Sequence, residues 1–349
     1  MKKVRWGVIG AGGIAERRTI PGMMQCENAE LVAVMEIDPE RAEACRAKWG
    51  CKKAYTSEAD LLADPEIDAV YIASPVVFHA KQAMAAADAG KHILMEKPIA
   101  MSSEEGQKVV DYCESKGVKI AAGLMMRFGA YVQAMKKAVA EGKIGKPVSG
   151  FAQFTCWYPD TPGAWRQSKK IAGGGAMMDM GVHCIDLLQY ILGSNVKQVA
   201  AFHDTISFNY EVEDSSMVML RMENGCQCVV QSNFNIPDDA SLWRIELFGD
   251  QGRLIGNGVI GQVDGGTLDA LFLGEQGGYD ARQDKKDIKG ETVDVTFGDC
   301  YEREITSFSN SILNGTPVEV PASQAVQVQR IMEAAYRSND EQTVITMNI

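Results

Sequence analysis

The chain opens Val4-Arg5-Trp6-Gly7-Val8-Ile9-Gly10-Ala11-Gly12-Gly13-Ile14-Ala15, and this stretch decides the fold. An apolar run of strand character meets a glycine cluster, and a helix-compatible segment comes next. Gly10 allows a sharp turn out of the strand. Gly12 has no β-carbon, so a pyrophosphate can approach the backbone. Ala15 keeps the third position small, where helix and strand pack closely. The helix start, with Gly13 and Ile14, offers free N–H groups and a partial positive charge to phosphates.

A second apolar run, 31–35, ends in Glu36. An acid there can accept hydrogen bonds from the adenosine ribose, and it repels a 2′-phosphate. This favours NAD over NADP. Ile37 stands beside it on the cofactor side. Asp38 before Pro39 reads as a helix N-cap. Arg41 on the first turn either stacks on the adenine or is an ordinary surface arginine.

Residues 67–73 read as a buried parallel strand ending at Ser74-Pro75. Ligands of doubly wound sheets sit beyond the carboxyl ends of strands. Ala73, Ser74 and Pro75 are therefore expected to line the nicotinamide half, with His79 opening the next helix. The following strand, 92–95, ends in Glu96-Lys97-Pro98. Lys97 can hydrogen-bond a substrate oxygen or share in its proton transfer; a surface ion pair before a tight turn is the competing reading. A helix near 103–116 and a strand at 119–124 complete an α/β pattern, a doubly wound parallel sheet covered on both faces. The domain change is expected at residue 125, giving a nucleotide-binding domain over 1–125 and a second α/β domain over 126–349.

The second half has a different pattern. Residues 148–157, 213–222, 226–235 and 242–248 alternate, as in an open, mostly antiparallel sheet with one buried face. Residues 264–291 read as short strands or loops. Helices are expected at 301–313 and 322–337, and a last strand at 343–347. Between the first two strands lies Trp165-Arg166, then Gly173-Gly174-Gly175 leading through Asp179 and His183 to Asp186. The glycines read as a flexible approach to a helix. Asp179 and His183, four apart, share a helical face. A carboxylate that orients an imidazole equips it to take a proton from an alcohol. Asp186 is a rival partner, and a purely structural pair is the competing reading. Arg127 and Arg166 can donate to substrate hydroxyls and Tyr158 can donate or accept, with Trp165 stacking on a ring face. No metal site is expected, since the remaining histidines show no ligand spacing.

The bulk numbers exclude some classes. A length of 349 residues suggests two domains. A net charge of −11 argues against nucleic acid or an anionic membrane as main partner. No apolar run approaches a membrane span, and a strand begins too early for a signal peptide. Nine cysteines without a repeating spacing read as thiols of a reducing cytoplasm. Cys226 and Cys228 read as packing residues.

On these motifs the chain resembles the Gfo/Idh/MocA oxidoreductases (glucose–fructose oxidoreductase, inositol dehydrogenase, rhizopine catabolism protein) over nearly its whole length. The resemblance rests on the glycine turn with Glu36, Ser74-Pro75 with His79, and Glu96-Lys97-Pro98. It continues through Arg127-Phe128, the glycine run with Asp179, His183 and Asp186, and Ala334-Ala335-Tyr336-Arg337-Ser338. It implies a Rossmann domain and a second domain whose open sheet builds dimers or tetramers. It implies NAD, and oxidation or reduction of a secondary alcohol on a sugar, glycoside or cyclitol. Lys97 would be the active-site lysine and Asp179 with His183 the proton-transfer pair; which of Lys97 and His183 is the proximal base stays open. Trp165-Arg166 would border the pocket. Glu36 replaces the family's commoner aspartate. Two other functions suit the scaffold: an NAD-dependent glycosidase working by transient oxidation and elimination, and a non-catalytic sugar sensor. Lys97, Asp179 and His183 together speak against the sensor.

Overall fold

The computed structural model describes residues 2–275, 277–279, 281–282 and 288–347. The chain divides into two compact units. The first takes Met1–Met125, Lys170–Gly173 and Asp299–Arg330; the second takes Met126–Lys169, Gly174–Gly298 and Ile331–Ile349.

In the first unit the strands are β1 (Val4–Ile9), β2 (Ala29–Met35), β3 (Lys53–Tyr55), β4 (Ala69–Ile72), β5 (His92–Glu96) and β6 (Ile120–Gly123). Among the described residues they form one parallel sheet in the order β3-β2-β1-β4-β5-β6. Trp6, Val8, Val34, Tyr71 and Leu94 are all buried, which is why these strands read as near-continuous apolar runs. The strand order reverses between β1 and β4, so the turn leaving β1 stands at the switch point where such sheets bind ligands.

The helix after the glycines is not regular. Ala15–Thr19 is a π turn, followed by an α turn at Ile20–Met23. Pro21 has no N–H to continue the ladder, and the widened turn takes up that break. Gly22 lets the helix Cys300–Asn314 approach: a β-carbon there would stand 2.8 Å from the Glu302 nitrogen. Trp6 Nε1 donates to Ser309 Oγ at 3.2 Å, and its ring tilts against Phe308 at 5.8 Å. Asn28 Nδ2 donates to the Thr306 carbonyl at 2.9 Å. This corrects the expectation that everything beyond 126 belongs to the second domain. The first sheet needs an apolar cover over Trp6, and residues 300–314 supply it.

The second unit is built on β7 (Pro147–Thr155), β8 (Val196–Asp204), β9 (Ser215–Met222), β10 (Gln227–Asn233), β11 (Arg244–Gly249), β12 (Gly252–Asn257), β13 (Thr267–Phe272), β14 (Glu291–Thr292) and β15 (Ile345–Thr346). Their order is β14-β13-β12-β11-β7-β10-β9-β8-β15. β7 and β10 run parallel, and the other pairings are antiparallel. The helix Val182–Leu192 packs on β7 and β10 through Ile185, Leu188 and their neighbours. Cys226 and Cys228 are buried at the start of β10 with their sulfurs 3.7 Å apart. In the segment expected to hold short strands or loops, residues 276, 280 and 283–287 lie outside the described ones. No described helix is long and apolar enough to cross a membrane.

His203 on β8 is buried with its ring 4.8 Å from Tyr336. Burial pushes its imidazole down to about 4. An unfolded histidine takes a proton near 6.5, so the unfolded chain binds more protons between those values. Stability at this site is therefore lost as pH falls from about 6.5 towards 4. His203→Phe keeps a ring on Tyr336 and removes the titration. Its melting temperature is expected to gain on the parent as pH falls, by the equivalent of about 3 kcal/mol at the acid end. A constant difference across that window would contradict this.

Candidate active site

The expected site residues fall into two groups, one in each unit. In the first, Gly10 and Gly13 have φ of 78° and 52°, left-handed values that favour glycine. The Gly10 and Ala11 amides donate to the Met35 carbonyl at 3.0 and 3.1 Å, which ties the turn to the end of β2. A β-carbon on Gly10 would stand 2.8 Å from the Ser74 nitrogen. On Gly12 it would meet Glu36 Oε2 at 3.4 Å, and on Gly13 nothing within 4 Å. The turn thus offers an open backbone face with an acid at its edge. The Ile37 amide donates to Glu36 Oε1 at 3.0 Å and steadies that acid. These residues fit a dinucleotide, with phosphates on the open amides and the ribose diol on Glu36. Ile37 is 79% exposed, an uncovered apolar side chain next to that acid. Asp38 caps its helix as expected, accepting from the Glu40 and Arg41 amides at 2.9 and 3.3 Å. The Arg41 side chain is exposed beside it. Glu36→Ala is expected to relax discrimination against NADPH about tenfold or more, read as the ratio of NADH to NADPH dissociation constants. An unchanged ratio would mean that another residue sets the preference.

The ends of β4 and β5 carry Ala73-Ser74-Pro75 and Glu96-Lys97-Pro98. Lys97 is half-buried, and its peptide bond to Pro98 is cis. His79 opens the helix that follows Ser74-Pro75. It is 1% exposed, with Nε2 2.8 Å from the Ser74 carbonyl and Nδ1 2.8 Å from the Pro98 carbonyl. The buried ring lies between the carbonyls of the two strand-end turns, and the single N–H of its neutral form donates to one of them. Burial lowers its pKa. Glu96 likewise turns inward: the Tyr71 hydroxyl donates to its Oε1 at 2.5 Å and accepts from Thr19 Oγ1 at 2.9 Å. Burial and the charge of Glu96 push Tyr71 well above its ordinary value.

In the second unit the helix bearing Asp179 and His183 begins with a π turn, Met177–Gly181, before the α-helix Val182–Leu192. Widened turns of this kind occur often at functional sites. The glycines before it are packed, not flexible. A β-carbon on Gly174 would strike the Tyr336 hydroxyl, and one on Gly175 the Glu213 carbonyl. Asp179 Oδ2 lies 3.6 Å from Arg166 Nε, and the Arg166 guanidinium covers the Trp165 ring at 4.4 Å. Tyr158 packs edge-on against Phe234 at 5.2 Å. Burial raises its phenol, and Arg166 and Asp179 are close enough to bear on it. Asp179, Arg166, Trp165 and Tyr158 are therefore brought together. His183 is buried with its ring edge-on to Phe154 at 6.1 Å.

Arg127 and Asp186 meet each other across the second unit. Both are buried and form a two-toothed ion pair, with Nε to Oδ2 at 2.9 Å and the terminal nitrogen to Oδ1 at 2.5 Å. The guanidinium also lies 4.8 Å from the Tyr190 ring centre. The Arg127 and Asp186 side chains are thus engaged with each other. Burial raises the Asp186 carboxyl against the pull of Arg127. Removing either side would strand a buried charge, typically at about 3–5 kcal/mol.

Two further residues matter that sequence reasoning missed. Glu213 accepts from the Gly175 and Met177 amides, both at 2.9 Å, and from the Tyr336 hydroxyl at 2.8 Å. Asp214 accepts from the Ile206, Ser207 and Phe208 amides at 2.8, 2.7 and 2.9 Å. That cradle holds Phe208 edge-on to Trp157 at 5.2 Å. The available signal is an adjacent acidic pair, Glu213 and Asp214, immediately before an alternating strand, and both side chains are buried.

Residues 4–124 match the oxidoreductase family with an NAD-binding Rossmann fold, and residues 132–255 match the GFO/IDH/MocA C-terminal domain. A 1,5-anhydro-D-fructose reductase from Ensifer adhaerens is 33% identical, over 76% of this chain and 79% of its own length. The chain belongs to the GFO/IDH/MocA family. It is an NAD(P)-dependent oxidoreductase of that family. Another relative, D-xylose 1-dehydrogenase (NADP(+)) 2 of Haloferax volcanii, is 30% identical over 98% of this chain and 99% of its own. Among solved structures, a levoglucosan dehydrogenase in complex with NADH and levoglucosan superposes with a TM-score of 0.87 at 25% identity, covering all of both chains. The GFO/IDH/MocA assignment agrees with the two sheets described above.

Proposed function

We propose that the chain transfers hydride between NAD and a secondary alcohol of a sugar, glycoside or cyclitol. The observation that carries this reading is Glu36 at the edge of a glycine turn whose backbone face is open. That acid suits a free ribose diol and repels a 2′-phosphate. The carbohydrate names of the relatives support the substrate class. A bound nicotinamide supplies the hydride-accepting carbon. Lys97 donates a hydrogen bond to the substrate oxygen and stabilises charge developing there. His183 exchanges the hydroxyl proton. Asp179 holds the local charge balance with Arg166, and Trp165 and Tyr158 offer a ring face and a hydroxyl to the rest of the sugar.

The test is a panel of D-xylose, levoglucosan and myo-inositol with NAD, and 1,5-anhydro-D-fructose with NADH, followed by NADH absorbance. Turnover of at least one, with NAD preferred over NADP, supports the reading. No turnover of any, or aglycone release from an aryl glycoside without net NADH, would overturn it.

The open face of the second sheet supports self-association. Phe202 and Met217 are directly paired across β8 and β9, Met219 stands two residues on, and all three are exposed. An apolar strip on a bare sheet face suits a second copy of the same face, giving a dimer or tetramer. Met219→Glu is expected to shift sedimentation towards the monomer; a wild-type monomer would remove the proposal. Among the described residues the cysteines are free thiols, which supports a reducing, cytoplasmic setting.

A further inference from the structure

We propose that Glu213 is a positioning residue for proton transfer: it sets the register of the helix that carries Asp179 and His183. The proposal rests on the reading that those two residues handle the substrate proton.

The start of a helix leaves several amides without intrahelical acceptors. A side chain next to the first turn usually answers them. Here no local side chain caps the π turn. Three successive amides are instead taken by one distant residue. Gly175 N–H donates to Glu213 Oε2 at 2.9 Å, Ala176 N–H to the Glu213 carbonyl at 3.0 Å, and Met177 N–H to Oε1 at 2.9 Å. The Tyr336 hydroxyl donates to the same Oε1 at 2.8 Å and braces the carboxylate from the last helix, Ala322–Glu341. Glu213 is buried, so these bonds are shielded from water. A carboxylate also opposes the positive end of the helix dipole.

The residues just beyond this cap give it a function besides stability. Asp179 comes two residues after Met177, inside the π turn, and His183 four after that. A π turn lacks the regular i→i−4 ladder that fixes an α-helix against slippage. The placement of both side chains therefore depends on where amides 175–177 are pinned. At the turn's far end Gly181 packs so closely that a β-carbon would stand 2.5 Å from Met177 Sδ and 2.9 Å from Ser232 Oγ. The glycines of the run have the same origin. Gly174 and Gly175 lack side chains because the Tyr336 hydroxyl and the Glu213 carbonyl occupy that space.

The experiment compares Glu213→Ala, Glu213→Gln and Tyr336→Phe with the parent. It measures amide exchange over 174–178, the ring NMR signals of His183, NADH affinity by fluorescence, and turnover of D-xylose with NAD. Glu213→Ala is expected to speed exchange of amides 175–177 by about tenfold or more. It should also move the His183 signals and leave NADH affinity within about threefold. Where D-xylose is turned over, kcat should fall by about 100-fold with KM for D-xylose within about threefold. Glu213→Gln keeps one acceptor oxygen, so it should fall between Ala and the parent. Tyr336→Phe leaves both amide bonds and should change exchange least. If Glu213→Ala does not fold, the order of Gln before Phe decides the matter. Unchanged exchange and unchanged His183 signals in the Gln variant would overturn the proposal, as would parent-level kcat on D-xylose alongside faster exchange. Failure of every panel sugar, with faster exchange and displaced His183 signals, would sink the dehydrogenase reading and with it the tie to proton transfer, and would support only the setting of the helix register by Glu213.

Discussion

Lys97→Ala is expected to lower kcat by about three orders of magnitude while NADH affinity stays within about threefold. The reasoning starts from its position. Lys97 comes directly after the last residue of β5, at the carboxyl edge of a parallel sheet where ligands bind. Its neighbours are committed elsewhere: Glu96 Oε1 to Tyr71, and the Pro98 carbonyl to His79. The turn is fixed from both sides, so the lysine can serve a substrate oxygen without ordering itself first. A cation aimed at an oxygen that gains negative charge stabilises the transition state more than the ground state. Its loss should therefore appear in kcat and not in cofactor binding. Lys97→Ala turning over at the parent rate would remove the lysine from the mechanism.

His183→Ala is expected to cost about 100- to 1,000-fold in kcat, with NADH affinity nearly intact. The imidazole is buried against Phe154 on a helix held at its start by Glu213 and along its length by β7 and β10. A ring so confined loses little freedom on reaching the reactive geometry. Asp186, three residues on, offers no substitute because Arg127 holds both of its oxygens. A parent-like rate for His183→Ala would leave proton transfer to Lys97 alone.

Local features are legible in the sequence. The glycine turn, the acid closing β2, the Asp38 cap and the change from buried runs to alternating strands all depend on neighbours in the chain. What escapes is long-range. Arg127 and Asp186 are 59 residues apart, and nothing near either marks them as a buried pair. The carbonyls that hold His79 lie at Ser74 and Pro98, the ends of two different strand turns. Residues 300–314 look like any amphipathic helix; contacts with Trp6, Gly22 and Asn28, far earlier in the chain, make them part of the first unit. The glycine run reads as slack because the groups that fill its space, Glu213 and Tyr336, are remote in sequence. The π turns are invisible to a 3.6-residue pattern, which assumes a regular turn throughout.

A kinetic double-mutant cycle on Lys97→Ala and His183→Ala, using the panel sugar that the parent turns over, is the most direct test. If both side chains serve one oxygen in one step, the double variant should be about as slow as the worse single variant. Losses that multiply in full would mean that the two residues act independently, and would contradict the mechanism.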